Sequence, residues 1–131
     1  ALTVYYNEPT KPQWKEAVEY ISSNSDGTPI ILVDRGGFSN EFLLEYYYDN
    51  KYNPKVIALV KAIKRSEPLW KIEPDELFTE IAKEKHDQFW LVLSKNGETG
   101  DYYKSVLISK YILEESTYFY GIEVHKFRQN K

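Results

Sequence analysis

Two short stretches carry residue types that could do binding chemistry. Asp34-Arg35-Gly36-Gly37 follows the apolar run Ile30–Val33, and Ser94-Lys95-Asn96-Gly97 follows the apolar run Phe89–Leu93. In an open α/β sheet, ligands bind at the carboxyl ends of the strands, where helix N-termini add partial positive charge. If the two runs are neighbouring parallel strands, the two loops meet. Arg35 and Lys95 would then hold an anionic group, while Asp34 and Asn96 would hydrogen-bond sugar hydroxyls. Gly36 and Gly37 would let the backbone approach an anion at the start of a helix. Neither stretch is a GxGxxG or a P-loop, and glycine also serves an ordinary strand-to-helix turn. The expected ligand-binding set is Asp34, Arg35, Gly36, Gly37, Ser94, Lys95 and Asn96.

Other chemistries find no residues to carry them. The chain has no cysteine, which excludes disulfides, thiolate metal sites and a Cys–His nucleophile. His86 and His125 are the only histidines, and neither has a second histidine or a metal-spaced acid pattern nearby. No metal site and no cofactor are therefore expected. Ser39 and Ser94 lack the strained elbow of hydrolases. Acid pairs for glycoside hydrolysis depend on separation in space and cannot be named from sequence. A phosphorelay receiver needs adjacent acids after its first strand, and Val33-Asp34-Arg35 offers one. It also needs an acceptor aspartate after a central strand, and Leu93-Ser94 offers none. No catalytic residue is expected.

Charge narrows the partners. The net charge is -3. Residues 1–66 carry eight basic and eight acidic side chains, and residues 67–131 carry nine and twelve. Nothing resembles the basic footprint of a nucleic-acid binder. The acidic stretch 67–87 reads as a solvated helix face. No apolar run approaches the roughly 20 residues of a membrane span, so this segment is not expected to cross a bilayer. The 12 tyrosines include the clusters Tyr5-Tyr6, Tyr46-Tyr47-Tyr48 and Tyr102-Tyr103. Tyr46 and Tyr47 lie on an apolar helix face and read as core. Tyr5, Tyr6 and Tyr48 are open between two places: the core, which the ordinary role of tyrosine favours, and a surface with one dry and one wet side.

The elements that must position these residues alternate along the chain. The 131 residues make one domain. Thr10 and Gln13 have capping-box spacing, Pro12 suits a first turn, and Trp14, Ala17, Val18 and Ile21 form one helical stripe. Ile30–Val33 reads as a strand buried on both faces. Ser39 can cap a helix with Phe42, Leu43, Tyr46 and Tyr47 inward. Val56–Ile63 fits either a helical stripe or a short strand at Val56–Val60. Pro74 opens a helix with Leu77, Phe78, Ile81 and Ala82 inward and acids in its first turn. Phe89–Leu93 is a second buried strand. Asp101 caps a helix marked by Tyr103, Val106, Leu107 and Tyr111. Thr117–Phe127 is a last strand, with Gly121 at a bulge or bend. Such alternation implies an α/β fold: a three-layer sandwich with a mostly parallel central sheet and helices on both faces.

The succession of segments resembles a known module. Gln13-Trp14-Lys15-Glu16-Ala17-Val18-Glu19-Tyr20-Ile21 resembles its tryptophan-helix opening, which leads into a strand at Pro29–Val33. A helix ending in a Tyr-Tyr pair (Leu44–Tyr48), a short strand (Val56–Val60) and an acidic helix (Asp75–Glu84) follow. Phe89-Trp90-Leu91-Val92 resembles its "[VF]-W-L-V" strand, and Phe119–Phe127 its closing "f-x-G-[IV]-x-V-x-x-[FY]". The module is the extracytoplasmic C-terminal domain of polytopic glycosyltransferases related to the dolichyl-phosphate-mannose protein mannosyltransferases.

The resemblance spans residues 13–128 and implies a strand at Val56–Val60. Such enzymes use a lipid-linked sugar donor and keep their catalytic acid in the membrane part, so no catalytic residue is carried over. It implies a connector over 1–9 and a single domain over 10–131. The domain would be a non-catalytic accessory on the extracytoplasmic face, shaping the acceptor side or stabilising the membrane part. Its partners would be the membrane-embedded part of the same polypeptide and a glycan or protein acceptor. Ala1 in place of methionine fits an excised or processed piece. The alternative is a stand-alone small-ligand-binding or protein-interaction α/β domain.

Overall fold

The computed structural model describes residues 12–34, 54–61, 70–84, 86–94 and 98–129. In chain order the elements are α1 (Trp14–Ser23), β1 (Ile30–Val33), β2 (Lys55–Ala58), β3 (Val60–Lys61), β4 (Trp70–Lys71), α2 (Pro74–Lys83), β5 (Gln88–Ser94), α3 (Glu98–Ile108), β6 (Ile112–Phe119) and β7 (Ile122–Arg128). The connector over 1–9 and the helix expected after Ser39 lie outside the described residues, as do Phe42, Tyr46 and the tyrosines at 5, 6, 47 and 48.

Among the described residues, five strands form one sheet in the order β2-β1-β5-β7-β6, and β3 and β4 form a two-stranded antiparallel sheet. β1 lies parallel to β2 and to β5, so the two apolar runs are neighbours as expected. The mostly parallel three-layer sandwich is nonetheless overturned. β5–β7 and β6–β7 are antiparallel and pair over seven positions each, against four for β1–β2 and three for β1–β5. The chain is mixed α/β with a largely antiparallel sheet. The physical cause lies at its end. Residues 112–128 are two strands, not one, joined through Tyr120-Gly121. A two-residue connection can only join antiparallel strands, because a parallel pair needs a long crossover.

Strand alternation splits the sheet's side chains between two cores. Ile31, Val33, Trp90, Val92, Ile122 and Val124 pack with Trp14, Ala17, Val18 and Ile21 of α1. Ile30, Leu32, Phe89, Leu91 and Phe127 pack with Leu77 and Ile81 of α2 and Tyr103 and Leu107 of α3. The central strands are buried on both faces because each face meets a helix stripe. Phe89 stacks on Phe127, with ring centroids 5.3 Å apart, and meets the edge of Tyr111 at 4.9 Å. The Tyr103 hydroxyl donates to the Ile72 carbonyl at 2.7 Å, which joins α3 to the segment after β4. Among the described residues, no helix is long and apolar enough to cross a membrane.

Local details depart from expectation at several points. Gln13, not Thr10, occupies the N-cap position of α1, and Pro12 precedes the helix. Gln13 makes no capping bond. Its backbone N–H donates to the Tyr120 carbonyl at 3.0 Å, and its Oε1 accepts from the Tyr120 N–H at 2.9 Å. The start of α1 is thereby fastened to the β6–β7 turn. Ala82 is exposed, and Asp101 lies inside α3 rather than at its cap. The segment after Pro54 is β2 followed by β3, which fits the strand reading and not the helical one.

Gly121 has φ +73°, a conformation that L side chains rarely adopt, and a Cβ there would lie 3.2 Å from Pro12 Cβ. Gly121→Ala should therefore destabilise the chain by about 1–2 kcal/mol. A lower urea midpoint with an unchanged slope is the expected result.

Candidate functional site

The carboxyl edge of β1 and β5 is where the sequence places its binding residues. Parallel pairing sets Val33 beside Val92, so the next residues meet. Asp34 is buried, and its Oδ2 accepts from the Ser94 backbone N–H and from the Ser94 hydroxyl, each at 2.9 Å. The Asp34 N–H donates to the Val92 carbonyl at 3.3 Å. One carboxylate thus ties together the ends of two neighbouring strands. Of the seven expected residues, the structure brings Asp34 and Ser94 together. Arg35, Gly36, Gly37, Lys95 and Asn96 lie outside the described residues.

A second polar array has no signature in the sequence. His125 on β7 is fully buried and lies opposite Ser116 on β6. Its Nδ1 is 2.7 Å from the Ser116 hydroxyl, and its Nε2 is 3.2 Å from Glu123 Oε1. A neutral ring satisfies both contacts when Nε2 carries the proton: Nε2–H donates to Glu123, and Nδ1 accepts from Ser116. The array fastens the edge strand β6 to β7. Tyr118 places its ring edge-on to the imidazole at 6.1 Å. The pairing was legible only with the hairpin register, which sets residues 116 and 125 symmetrically about Tyr120-Gly121.

Burial pushes the His125 imidazole below its ordinary value of 6.5, and the nearby Lys104 pushes it further down. The Glu123 carboxylate opposes both through its hydrogen bond and its charge. A depressed folded-state value means that the unfolded chain takes up this proton first as pH falls. His125 therefore costs nothing above about pH 6.5, and stability declines below that until the folded value is passed. Urea midpoints measured from pH 8 down to pH 5 should fall more steeply for the native chain than for His125→Gln. Equal pH slopes for the two would remove His125 as the cause.

At the amino edge of β1 and β5, opposite Asp34, a cavity of about 430 Å³ opens. It forms between the turn after α1, the residues leading into β5 and the end of β7. Among the described residues, three separate segments build it, so no local motif announces it. Among the described residues, no group of three or more His, Cys, Asp or Glu could hold a metal ion.

No family model, curated protein or solved structure matches this chain. The geometry is what remains to carry a functional reading. It offers a locked carboxyl edge, a buried imidazole that holds an edge strand, and a polar hollow at the opposite end of the sheet.

Proposed function

We propose that this chain is a non-catalytic accessory domain of a membrane-embedded glycosyltransferase that uses a lipid-linked sugar donor. It sits on the extracytoplasmic face and shapes the acceptor side or stabilises the membrane part. Its partners are the membrane-embedded part of the same polypeptide and a glycan or protein acceptor. One observation carries the reading. The segments that resemble the module supply both cores: Trp14 to Ile21 from α1, Ile30–Val33 from β1, Phe89 to Val92 from β5 and Ile122 to Phe127 from β7. The glycine of the closing pattern is Gly121, which turns the chain between β6 and β7.

The test is sugar transfer by membranes that carry the parent polypeptide, with and without residues 12–129. Deletion should reduce transfer by roughly tenfold or more, and the isolated chain should show background transfer only. Unchanged transfer after deletion would count against the proposal. So would turnover by the isolated chain that a point substitution abolishes, or a reading frame that starts near Ala1 with no membrane spans.

A second reading is a stand-alone small-ligand-binding α/β domain: the parallel pairing of β1 with β5 brings Asp34 and Ser94 to one edge, although Asp34 Oδ2 is itself engaged by Ser94. Titration with short acceptor peptides should then shift NMR signals of residues 34–40 and 94–101, and sugar phosphates should shift those signals whether or not they also enter the amino-edge cavity.

A further inference from the structure

We infer that the cavity at the amino edge of the sheet binds a neutral, hydroxyl-rich ligand, a sugar ring or short glycan. The inference is independent of the membrane reading and concerns the opposite end of the sheet from Asp34.

The lining sets the ligand class. Asp26 and Thr28 come from the turn after α1, Asp87 and Gln88 from the start of β5, and Arg128 from the end of β7. Carboxylates accept hydroxyl protons, a guanidinium donates to hydroxyl oxygens, and the hydroxyl does both. Gln88 Nε2 already donates to Glu114 Oε1 at 3.0 Å, which leaves the amide oxygen to accept, and Arg128 Nε lies 3.9 Å from Glu114 Oε2, which leaves its terminal nitrogens to donate. A polyol meets such a mixture with a donor and an acceptor at every hydroxyl. A phosphate would meet Arg128 and His86 in the same space, but also the two carboxylates of Asp26 and Asp87. An apolar ligand would leave these polar groups to lose their water without replacement. The volume of about 430 Å³ lies within the range of small-molecule sites.

The walls are held in place on both sides, which lowers the cost of ordering them around a ligand. On one side, the Trp90 indole N–H donates to the Ser25 hydroxyl at 2.9 Å, and that hydroxyl donates to the Ile21 carbonyl at 2.6 Å. Lys126 Nζ donates to the Asn24 carbonyl at 3.1 Å and lies 5.3 Å from the Trp90 ring centroid. Gly27, at φ +78°, turns the chain between Asp26 and Thr28. On the other side, the Gln129 side chain donates to the His86 carbonyl at 2.7 Å, and its backbone N–H donates to the Asp87 carbonyl at 2.8 Å. Trp90 is buried, so its indole N–H reports on the turn through Ser25 and is no stacking platform.

The experiment is a titration of the ¹⁵N-labelled chain with methyl glycosides of glucose, galactose and mannose, with inorganic phosphate as the control. The expected result is saturable shifts of the Trp90 indole N–H and of the amides of residues 25–28, 87 and 88. The expected Kd is on the order of a millimolar. Asp26→Asn and Arg128→Gln should each weaken binding by roughly tenfold, with spectral changes confined to the cavity and, for Arg128→Gln, the neighbourhood of Glu114. The inference is overturned if no glycoside gives a saturable shift at concentrations on the order of tens of millimolar. It is equally overturned if phosphate moves the same amides more than any glycoside, or if both variants bind as the native chain does. None of these outcomes alters the deletion result in membranes, so the two proposals fail separately.

Discussion

Phe89→Ala should destabilise the fold by about 3–5 kcal/mol, a large share of the roughly 5–15 kcal/mol that holds an ordinary domain together. Phe89 is fully buried on a central strand. Its ring stacks on Phe127 of β7 and meets the edge of Tyr111 beyond α3. Truncation removes the apolar transfer energy and both ring contacts. It also leaves a cavity that three separate elements would have to collapse together to fill. Urea unfolding followed by tryptophan fluorescence gives the value. Phe89→Leu, which keeps most of the volume, should recover more than half of the loss. A loss below about 1 kcal/mol for the alanine variant would mean that the site relaxes freely and that the ring cluster adds little.

Asp34→Ala should cost about 1.5–3 kcal/mol, the size expected for hydrogen bonds to a charged partner. The substitution leaves the Ser94 N–H without its acceptor at the end of a buried strand. Three variants separate the contributions. Ser94→Ala removes only the hydroxyl bond and should cost about 0.5–1.5 kcal/mol. Asp34→Asn retains one side-chain oxygen and should fall between the two. Amide exchange at Ser94 should quicken in Asp34→Ala and stay near native in Ser94→Ala. Equal protection in both would show that the carboxylate does not hold that amide.

The parts of this architecture that were legible in the sequence are those whose burial has a simple period. β1 and β5 are continuous apolar runs because both faces of the sheet are covered there. The α1 stripe and the two buried residues of α2 follow the helical period. The Asp34–Ser94 pair was within reach because each residue ends such a run. β6 was not legible. It is an edge strand with no buried residue and with its register shifted between Leu113 and Glu115, so neither alternation nor burial marks it. Missing residues 112–116 and the reversal at Tyr120-Gly121 turned a hairpin into a single strand and made the sheet look parallel. The same omission hid Ser116 as the partner of His125. The amino-edge cavity has no period at all, since it gathers residues from the turn after α1, the start of β5 and the end of β7.

The order β2-β1-β5-β7-β6 also governs when the fold can close during synthesis. β7, the last strand of the described chain, lies between β5 and β6. A ribosome that has released residues only as far as the turn at Gly121 has delivered β1, β2 and β5, but β5 still lacks its partner on one side. The strand left open is Gln88–Ser94, apolar from Phe89 to Leu93 and a ready template for another chain. Contacts between β5 and β7 span tens of residues, so they form late and reward the chain only once the segment 122–128 has emerged. Nascent chains halted before Ile122 should therefore be bound by holdase chaperones or aggregate, and release of the seven residues of β7 should end that exposure.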